Sequence, residues 1–395
     1  MTRRAAISTH ANQINAPLFR ELARTNDDFH VLFLSEDPLG KPVFDSEMGI
    51  DFSWDVDTRG GFESACLPLP REAVLEAGLQ DLRNVATQAR RWISSVRPES
   101  VMLPSWSPVY ASLLPSLRGN DVSIVFRGTC RVPRKGSTLR RVVADTAKKR
   151  FLAHVDAANF IGTQAREELL RLGFPAHRMV ASPYGVDNSG WEARLSKASG
   201  GAVRRWVGAP PGCTVFLLVN KLIAKKGLDP LLPAVETASK LSDFRVVIVG
   251  EGSLRMDVET KITGLGLRDR VFLAGFRNQN ELADYFDAAD AFMLLSDDPS
   301  ETWGLVINEA MVAGLPVVAS HDAGATCDLV AHGLTGFRVD PRQPHELVEA
   351  ILALTDRSIR DEMGENARRV IPGSGIVPAA QGVNRAFELA LTRRK

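Results

Sequence analysis

Pro299-Ser300-Glu301-Thr302-Trp303-Gly304-Leu305-Val306-Ile307-Asn308-Glu309-Ala310-Met311-Val312-Ala313-Gly314-Leu315-Pro316-Val317-Val318-Ala319-Ser320 places two glutamates eight positions apart. Glu301 falls in a polar turn. Glu309 falls inside an apolar helix whose first turn is expected near Trp303 to Val306 and which ends at Gly314; a strand over Pro316 to Ser320 follows. A carboxylate on an otherwise buried helix is costly unless it is hydrogen-bonded. A ligand rich in hydroxyls, such as a nucleotide sugar, supplies those bonds. The competing structural reading is a helix cap at Glu301 and a lysine partner for Glu309.

Outward from this stretch, short apolar runs alternate with helical patterns. The runs are Val31 to Leu34, Ser123 to Phe126, Thr214 to Val219, Phe244 to Val249, Val271 to Leu273, Ala291 to Leu295 and Pro316 to Ala319. They are continuous and branched, without polar alternation, as strands buried on both faces are. Helical patterns cover Glu72 to Val96, Gln164 to Leu172, Leu228 to Leu241 and Glu281 to Ala288. Strand and helix in alternation predict doubly wound α/β sheets. Residues 188–204 are small and polar around a Gly pair, which places the change of domain near there.

The chain has 395 residues, 45% hydrophobic and 24% charged, the profile of a globular protein of two or three domains. A net charge of +1 gives no global attraction to nucleic acid. Cys66, Cys130, Cys213 and Cys327 form no CxxC pair and suggest neither a zinc site nor a disulfide framework. The start lacks a signal-peptide pattern, and no run reaches the roughly 18 apolar residues of a spanning helix. The expectation is a cytoplasmic protein, with peripheral contact at the inner face of the membrane left open.

Three further clusters bear chemistry. Asn220-Lys221-Leu222-Ile223-Ala224-Lys225-Lys226-Gly227 follows the strand at 214–219, and strand ends are where open α/β sheets bind ligands. Lys221 and Lys226 are placed to put cations on a diphosphate and to stabilise it as it leaves; the alternative is a solvated lysine face. Val249-Gly250-Glu251-Gly252 begins like a dinucleotide fingerprint, but Arg255 stands where the third glycine belongs, so a tight strand-to-helix turn is the better reading. Ala323-Gly324-Ala325-Thr326 is small enough for backbone N–H groups to approach a phosphate, or is an ordinary helix entry.

In order and spacing these pieces resemble the retaining glycosyltransferases of family 4. The resemblance runs from about Val215 to Phe337 through Lys226-Gly227, Val249-Gly250-Glu251-Gly252, Leu273-Ala274-Gly275-Phe276, Glu301 with Glu309, Gly314 to Ser320, and Gly333-Leu334-Thr335-Gly336-Phe337. It implies the GT-B fold, two Rossmann-like doubly wound domains facing a cleft. Residues 1–195 would form the acceptor-side domain, 196–375 the nucleotide-sugar-binding domain, and 376–395 a helix returning to the first. It implies that Lys226 and Lys221 bind the donor diphosphate, with lysine at 221 where the family has arginine. Glu301 would bind the donor sugar beside the backbone of Thr302, Trp303 and Gly304; Glu309 would bind the ribose; Gly250, Gly275 and Phe276 would line the donor site. The family motif has glycine where Thr302 stands and phenylalanine where Trp303 stands. The activity implied is transfer of a sugar from a nucleoside diphosphate, UDP before GDP, to a glycan or lipid-linked acceptor with retention and without a metal or other cofactor.

The first half is more weakly similar to enzymes of bacterial surface-polysaccharide synthesis, through Asn15 to Leu22, Phe52 to Asp57, Phe126 to Thr129, Phe160 to Thr163 and Ser182 to Asn188. Arg127 stands where many members carry a histidine near the reacting centre, and is placed to stabilise the departing phosphate or orient an acceptor. His10 and Asn15 are expected on the acceptor side. Residues 131–150 hold eight basic side chains against one acid, Asp145. Such a patch suits an anionic membrane or a lipid-diphosphate acceptor, or is a solvated helix face; nucleic acid is disfavoured because interleaved aromatics are missing. Alternatives to transfer are a GT-B nucleotide-sugar epimerase, a non-catalytic nucleotide-sugar binder, and, resting on one broken glycine motif, an NAD dehydrogenase.

Overall fold

The apolar runs become parallel strands in two sheets. The computed structural model describes residues 2–36, 42–53, 55–128, 138–298 and 301–393. Trp54, Thr129, Cys130, the basic residues of 131–137, Pro299 and Ser300 lie outside the described residues.

Strands β1 (Arg4–Ser8), β2 (Phe29–Phe33), β3 (Val43–Asp45), β4 (Ile50–Phe52), β5 (Glu63–Cys66), β6 (Ser100–Leu103), β7 (Ser123–Gly128), β8 (Ala157–Phe160) and β9 (Met179–Ala181) come from the first half. Strands β10 (Thr214–Val219), β11 (Phe244–Val249), β12 (Val271–Gly275), β13 (Ala291–Leu294), β14 (Val317–Ser320) and β15 (Gly336–Val339) come from the second. Among the described residues one sheet has the order β5-β2-β1-β6-β7-β8-β9 and the other β12-β11-β10-β13-β14-β15, all parallel. In each sheet the chain winds outward from a central strand and then reverses. The reversal leaves a switch point between β1 and β6 in one sheet and between β10 and β13 in the other.

The helices of the first half are α1 (Ala16–Thr25), α2 (Arg71–Leu75), α3 (Leu79–Val96), α4 (Pro108–Gly119), α5 (Thr138–Leu152) and α6 (Thr163–Arg171). Those of the second are α7 (Asn188–Leu195), α8 (Gly200–Trp206), α9 (Leu228–Ser239), α10 (Arg255–Gly264), α11 (Gln279–Ala288), α12 (Val306–Val312), α13 (Thr326–Leu329), α14 (Pro344–Thr355), α15 (Arg357–Val370) and α16 (Ile376–Thr392). No described helix is long and apolar enough to cross a membrane.

The chain divides into two units. The first holds residues 1–39, 56–184 and 375–395; the second holds 40–55 and 185–374. In the first, one sheet face packs Val85, Ala89 and Ile93 of α3 and Tyr110, Leu113 and Leu117 of α4. The other face packs Phe19 of α1 with Ala379, Val383 and Phe387 of α16. The Asn159 amide and the Ser182 hydroxyl donate to backbone carbonyls of α16, at Gly382 (3.0 Å) and Ala379 (2.9 Å). In the second unit, β10, β11 and β13 pack beneath α9 and α14.

Three features differ from the sequence pattern. The helix expected over 72–96 is two, because Gly78 is extended and its N–H bonds the Asp81 carboxylate at 3.0 Å, starting α3 afresh. Residues 40–55, from the first half of the chain, group with the second unit. Residues 188–204, near which the sequence places the change of domain, hold α7 and most of α8 of the second unit, and the division falls just before them, between Tyr184 and Gly185. Gly200 is small for a packing reason: a Cβ there would lie 2.4 Å from the Ala288 nitrogen of α11.

Gly200→Ala is therefore expected to destabilise by about 2 kcal/mol through overpacking. Gly201→Ala, whose Cβ would meet only the Arg205 guanidinium at 3.5 Å, is expected to be neutral or slightly stabilising. Thermal unfolding of the two variants side by side checks this.

Candidate functional site

The switch point of the second sheet brings the chemistry together. After β10 the chain runs through Asn220 and Lys221 into a single 3-10 turn, Ala224–Lys226, and stops at Gly227. Gly227 has φ +69°, and a Cβ there would sit 1.9 Å from the Leu295 carbonyl oxygen just past β13. That backbone contact sets Lys226 against the segment after β13. Its ammonium pairs with the Glu301 carboxylate, which also accepts from Ser296 Oγ at 3.2 Å. Both side chains are mostly buried. The sequence-predicted lysine and glutamate, 75 residues apart, are thus one ion pair.

Lys221 lies beside them but faces another partner. Its Nζ donates to Asp45 Oδ2 (2.7 Å) and Glu47 Oε2 (2.9 Å), and Lys225 donates to Glu47 Oε1 (3.1 Å). Asp45 and Glu47 belong to the β3–β4 hairpin. The Phe52 ring of that hairpin lies 5.6 Å from Phe276, and the Asp55 carboxylate accepts from Asn280 N–H at 2.9 Å. The Asn220 amide is buried with neither its oxygen nor its nitrogen hydrogen-bonded. Sequence reasoning passed over Asp45, Glu47, Ser296 and Asn220, since none lies in a periodic pattern.

Gly250 has φ +142°, and a Cβ there would lie 1.8 Å from the Asn220 carbonyl oxygen. The Gly250 N–H bonds the Gly275 carbonyl at 2.9 Å. The glycines at 250 and 275 therefore let the segments after β10, β11 and β12 touch, as a tight turn requires.

The segment after β13 is held by its own backbone and by the next loop. Trp303 is buried, and its indole nitrogen donates to Asn308 Oδ1 at 2.9 Å. The N–H groups of Gly324 and Ala325 donate to the carbonyls of Glu301 (3.1 Å) and Trp303 (2.9 Å). A Cβ on Gly324 would lie 2.0 Å from the Thr302 carbonyl oxygen. Those two N–H groups, expected to approach a phosphate, instead fasten the 301–304 turn. The helix α12 begins at Val306, later than expected, so Glu309 sits in its first turn.

The first unit holds the remaining residues. The His10 ring takes Thr9 Oγ1 at Nδ1 (3.0 Å) and the Arg71 guanidinium at Nε2 (3.4 Å). The Asn15 N–H donates to Asn12 Oδ1 at 2.8 Å, and its side chain does not cap α1. Arg127 is buried at the end of β7; its guanidinium donates to Ser182 Oγ (3.0 Å) and the Pro183 carbonyl (2.9 Å) and lies 4.8 Å from the Tyr184 ring centre.

Residues 11–185 match the family model described as "Glycosyl transferase 4-like domain" and residues 204–370 that described as "Glycosyl transferases group 1". The two halves of the chain are thus each similar to glycosyltransferase domains. The alpha-D-kanosaminyltransferase of Streptomyces kanamyceticus is 29% identical over 57% of this chain and 58% of its own length. The GDP-mannose-dependent alpha-(1-6)-phosphatidylinositol monomannoside mannosyltransferase of Mycobacterium tuberculosis is 27% identical over 70% and 69%. The chain spans about half the length of several curated relatives it matches, the kanosaminyltransferase among them. HepE of Anabaena, solved in complex with UDP and glucose, superposes with a TM-score of 0.71 at 18% identity, covering 98% of this chain and 100% of its own. The fold is GT-B, built of two Rossmann-like units.

Glu309 has an unusual environment. Its side chain is only 8% exposed, and burial pushes its carboxyl up to about 7 against a weaker pull from the Arg194 guanidinium. Its backbone carbonyl accepts from the Trp191 indole at 3.0 Å, which fixes the helix turn that carries it. Burial, and then the Arg71 guanidinium, lower His10 to about 4, so this imidazole is neutral at neutral pH.

These two groups act on stability with opposite signs. A raised carboxyl binds an extra proton in the folded state, so its contribution is full below its unfolded value of 4.5 and is lost as pH rises through about 7. A lowered imidazole costs stability as pH falls from 6.5 toward 4. The windows overlap, so wild type alone shows a flattened profile. Glu309→Gln removes one limb: relative to wild type it should gain on the order of 2–3 kcal/mol between pH 4.5 and pH 8, read as a rising difference in denaturation midpoint.

Proposed function

We propose that this chain is a retaining glycosyltransferase that moves a sugar from a nucleoside diphosphate, UDP before GDP, to a glycan or lipid-linked acceptor of surface polysaccharide or glycoconjugate synthesis. The observation that carries the reading is the Lys226–Glu301 pair at the β10/β13 switch point, with Lys221 beside it. Open α/β sheets bind ligands at that place. A cation and a carboxylate set side by side match a donor whose diphosphate and sugar hydroxyls are neighbours. HepE, solved with UDP and glucose, supports a uridine nucleotide; the mannosyltransferase relative supports guanosine as the second choice.

In the proposed reaction the C1–O bond to the diphosphate breaks and a bond from an acceptor oxygen to C1 forms on the same face. The acceptor's proton passes to the departing phosphate oxygen. Lys226 and Lys221 stabilise the charge that grows on the leaving diphosphate, the task a metal ion performs elsewhere. Glu301 accepts from the sugar hydroxyls, oriented by the 301–304 turn that Gly324 and Ala325 fasten. Glu309 accepts from the ribose, and those donors lower the cost of its buried charge. Phe276 and Gly275 line the donor site. In the first unit, His10 and Asn15 are assigned to the acceptor. Arg127 is assigned to the departing phosphate or the acceptor; its bonds to Ser182 and Pro183 hold the guanidinium in place.

The proposed acceptor-side partner is an anionic lipid surface, which would hold the chain at the inner face of the membrane. On α5 the residues Arg140, Arg141, Val142, Val143, Lys149 and Arg150 are exposed. The acid of this helix, Asp145, is taken up by Arg171 of α6 at 2.6 Å. The outward face therefore presents basic charge around two valines, as a surface meeting anionic headgroups does.

A nucleotide at about 100 times its dissociation constant stabilises by about 2.7 kcal/mol, so a thermal-shift panel of UDP, GDP, ADP and dTDP should single out one base. Glu309→Ala should abolish that shift. Lys226→Ala and Glu301→Ala should each lower kcat/KM by about ten- to a hundredfold, the value of a hydrogen bond to a charged group. Product NMR should report a retained anomeric configuration, with turnover unaffected by EDTA or added Mg²⁺; inversion of the anomer or dependence on Mg²⁺ overturns the corresponding part. Separately, Arg140→Glu/Lys149→Glu should reduce co-sedimentation with vesicles containing phosphatidylserine and leave nucleotide binding unchanged.

A further inference from the structure

The β3–β4 hairpin pairs with neither large sheet. A lone two-stranded hairpin is marginal in water, so what it rests on decides where it stays. Its strands align Val43 with Phe52, Phe44 with Asp51 and Asp45 with Ile50. Asp45 has two jobs. Oδ1 accepts the N–H groups of Glu47 and Met48, each at 3.0 Å, and closes the turn; Oδ2 reaches Lys221. Glu47 at the tip bridges Lys221 and Lys225. Residues 43–52 carry three carboxylates and no basic side chain.

The partners of this acidic tip are the cations at the head of the proposed diphosphate site. Lys221 cannot give the same N–H bonds to two carboxylates and to a diphosphate. Two carboxylates held 2.7–2.9 Å from one ammonium present it with two negative charges and charge-assisted acceptors, as a phosphate group would. Both carboxyls are held below their ordinary range by these lysines despite some burial, so the tip stays charged across the physiological range. Behind Lys221, the buried Asn220 amide has neither end satisfied, an arrangement that marks a place for a further polar group. Phe52 meanwhile lies against Phe276, itself assigned to the donor site.

We propose that the β3–β4 hairpin is an anionic plug of the donor site, in which Asp45 and Glu47 hold Lys221 and Lys225 until a nucleoside diphosphate displaces them. This rests on the donor site proposed above. Donor binding is then an exchange of one set of anions for another, and the hairpin's carboxylates set its affinity. The exchange disfavours weak, singly charged anions, which do not repay the loss of two carboxylates, and favours a diphosphate that engages several cations at once.

The test is calorimetric titration of UDP, GDP and ADP into wild type, Asp45→Asn/Glu47→Gln, Glu47→Gln and Asp51→Asn. Asparagine at 45 keeps the oxygen that closes the turn, and Glu47→Gln alone leaves that turn untouched. Asp51 carries the same charge on the same hairpin, is exposed, and touches neither lysine. The double variant should bind the preferred nucleotide about three- to tenfold more tightly, the range set by three partly exposed ion pairs. Glu47→Gln should move the same way by less, and Asp51→Asn should stay within about twofold. Unchanged or weaker binding by the double variant, with wild type still binding, removes the plug and leaves the donor site standing. An equal gain from Asp51→Asn also removes it, since general charge would then be the cause. No nucleotide binding by any of the four removes donor site and plug together.

Discussion

One ion pair at the reversal of a parallel sheet organises the second unit. Where β10 and β13 are neighbours, the chain leaves their C-terminal ends in opposite directions and opens a gap that no crossover helix covers. Lys226 comes from one side of that gap and Glu301 from the other. Neither charge is cheap to keep when mostly buried: removing one partner leaves the other desolvated and unpaired. The surroundings are built to hold both. Gly227 lets its segment touch the backbone at Leu295, and Gly324 does the same at Thr302. The positions of the charges are thus fixed by backbone contact rather than by flexible side chains.

That construction explains which parts of the molecule were legible in the sequence. The strands over 214–219 and 244–249 fall where the apolar runs place them, because a strand buried on both faces has no polar alternation to blur its ends. The doubly wound α/β sheets follow from the order of such runs, whereas the GT-B fold comes from the resemblance in motif order. Short edge strands such as Glu63–Cys66 and Met179–Ala181 are half-exposed and carry no comparable signal. Residues 188–204 mislead for a different reason. Their small residues read as the place where the domain changes, yet Gly200 is small because α8 lies directly on the backbone of α11. Composition cannot separate a residue that is small to be mobile from one that is small to be packed.

The site divides in the same way. Lys226, Glu301 and Glu309 are legible because they lie beside or within strongly patterned segments. Asp45 and Glu47 sit in a polar hairpin where acids are ordinary, and their partners lie more than 170 positions away. Only the folded chain connects them. The role expected of Gly324 and Ala325 shows the opposite error. Small residues suggest phosphate contact, but their N–H groups are already spent on the carbonyls of Glu301 and Trp303. Their contribution is to hold the carbonyl side of a turn whose carboxylate faces Lys226.

The second unit holds carboxylates in three different environments, and they respond differently to an arriving anion. Glu301 is paired and mostly buried; Asp45 and Glu47 are paired but partly open to water; Glu309 is buried and lifted toward neutrality. The free energy released when an anion arrives therefore differs at each. Displacing the exposed hairpin carboxylates costs little, because water solvates them once they leave. Displacing Glu301 from Lys226 would strand a carboxylate out of water, so an incoming phosphate is better accommodated beside that pair than in place of it. Glu309 gains most from hydroxyl donors, since none of the described side chains supplies it with one. Under the proposed donor assignment, a ligand that combines multiple negative charge with nearby hydroxyls would satisfy all three at once, whereas a bare phosphate or a neutral sugar would satisfy only part. The selectivity of such a site lies in the joint requirement, and no single residue in it would suffice.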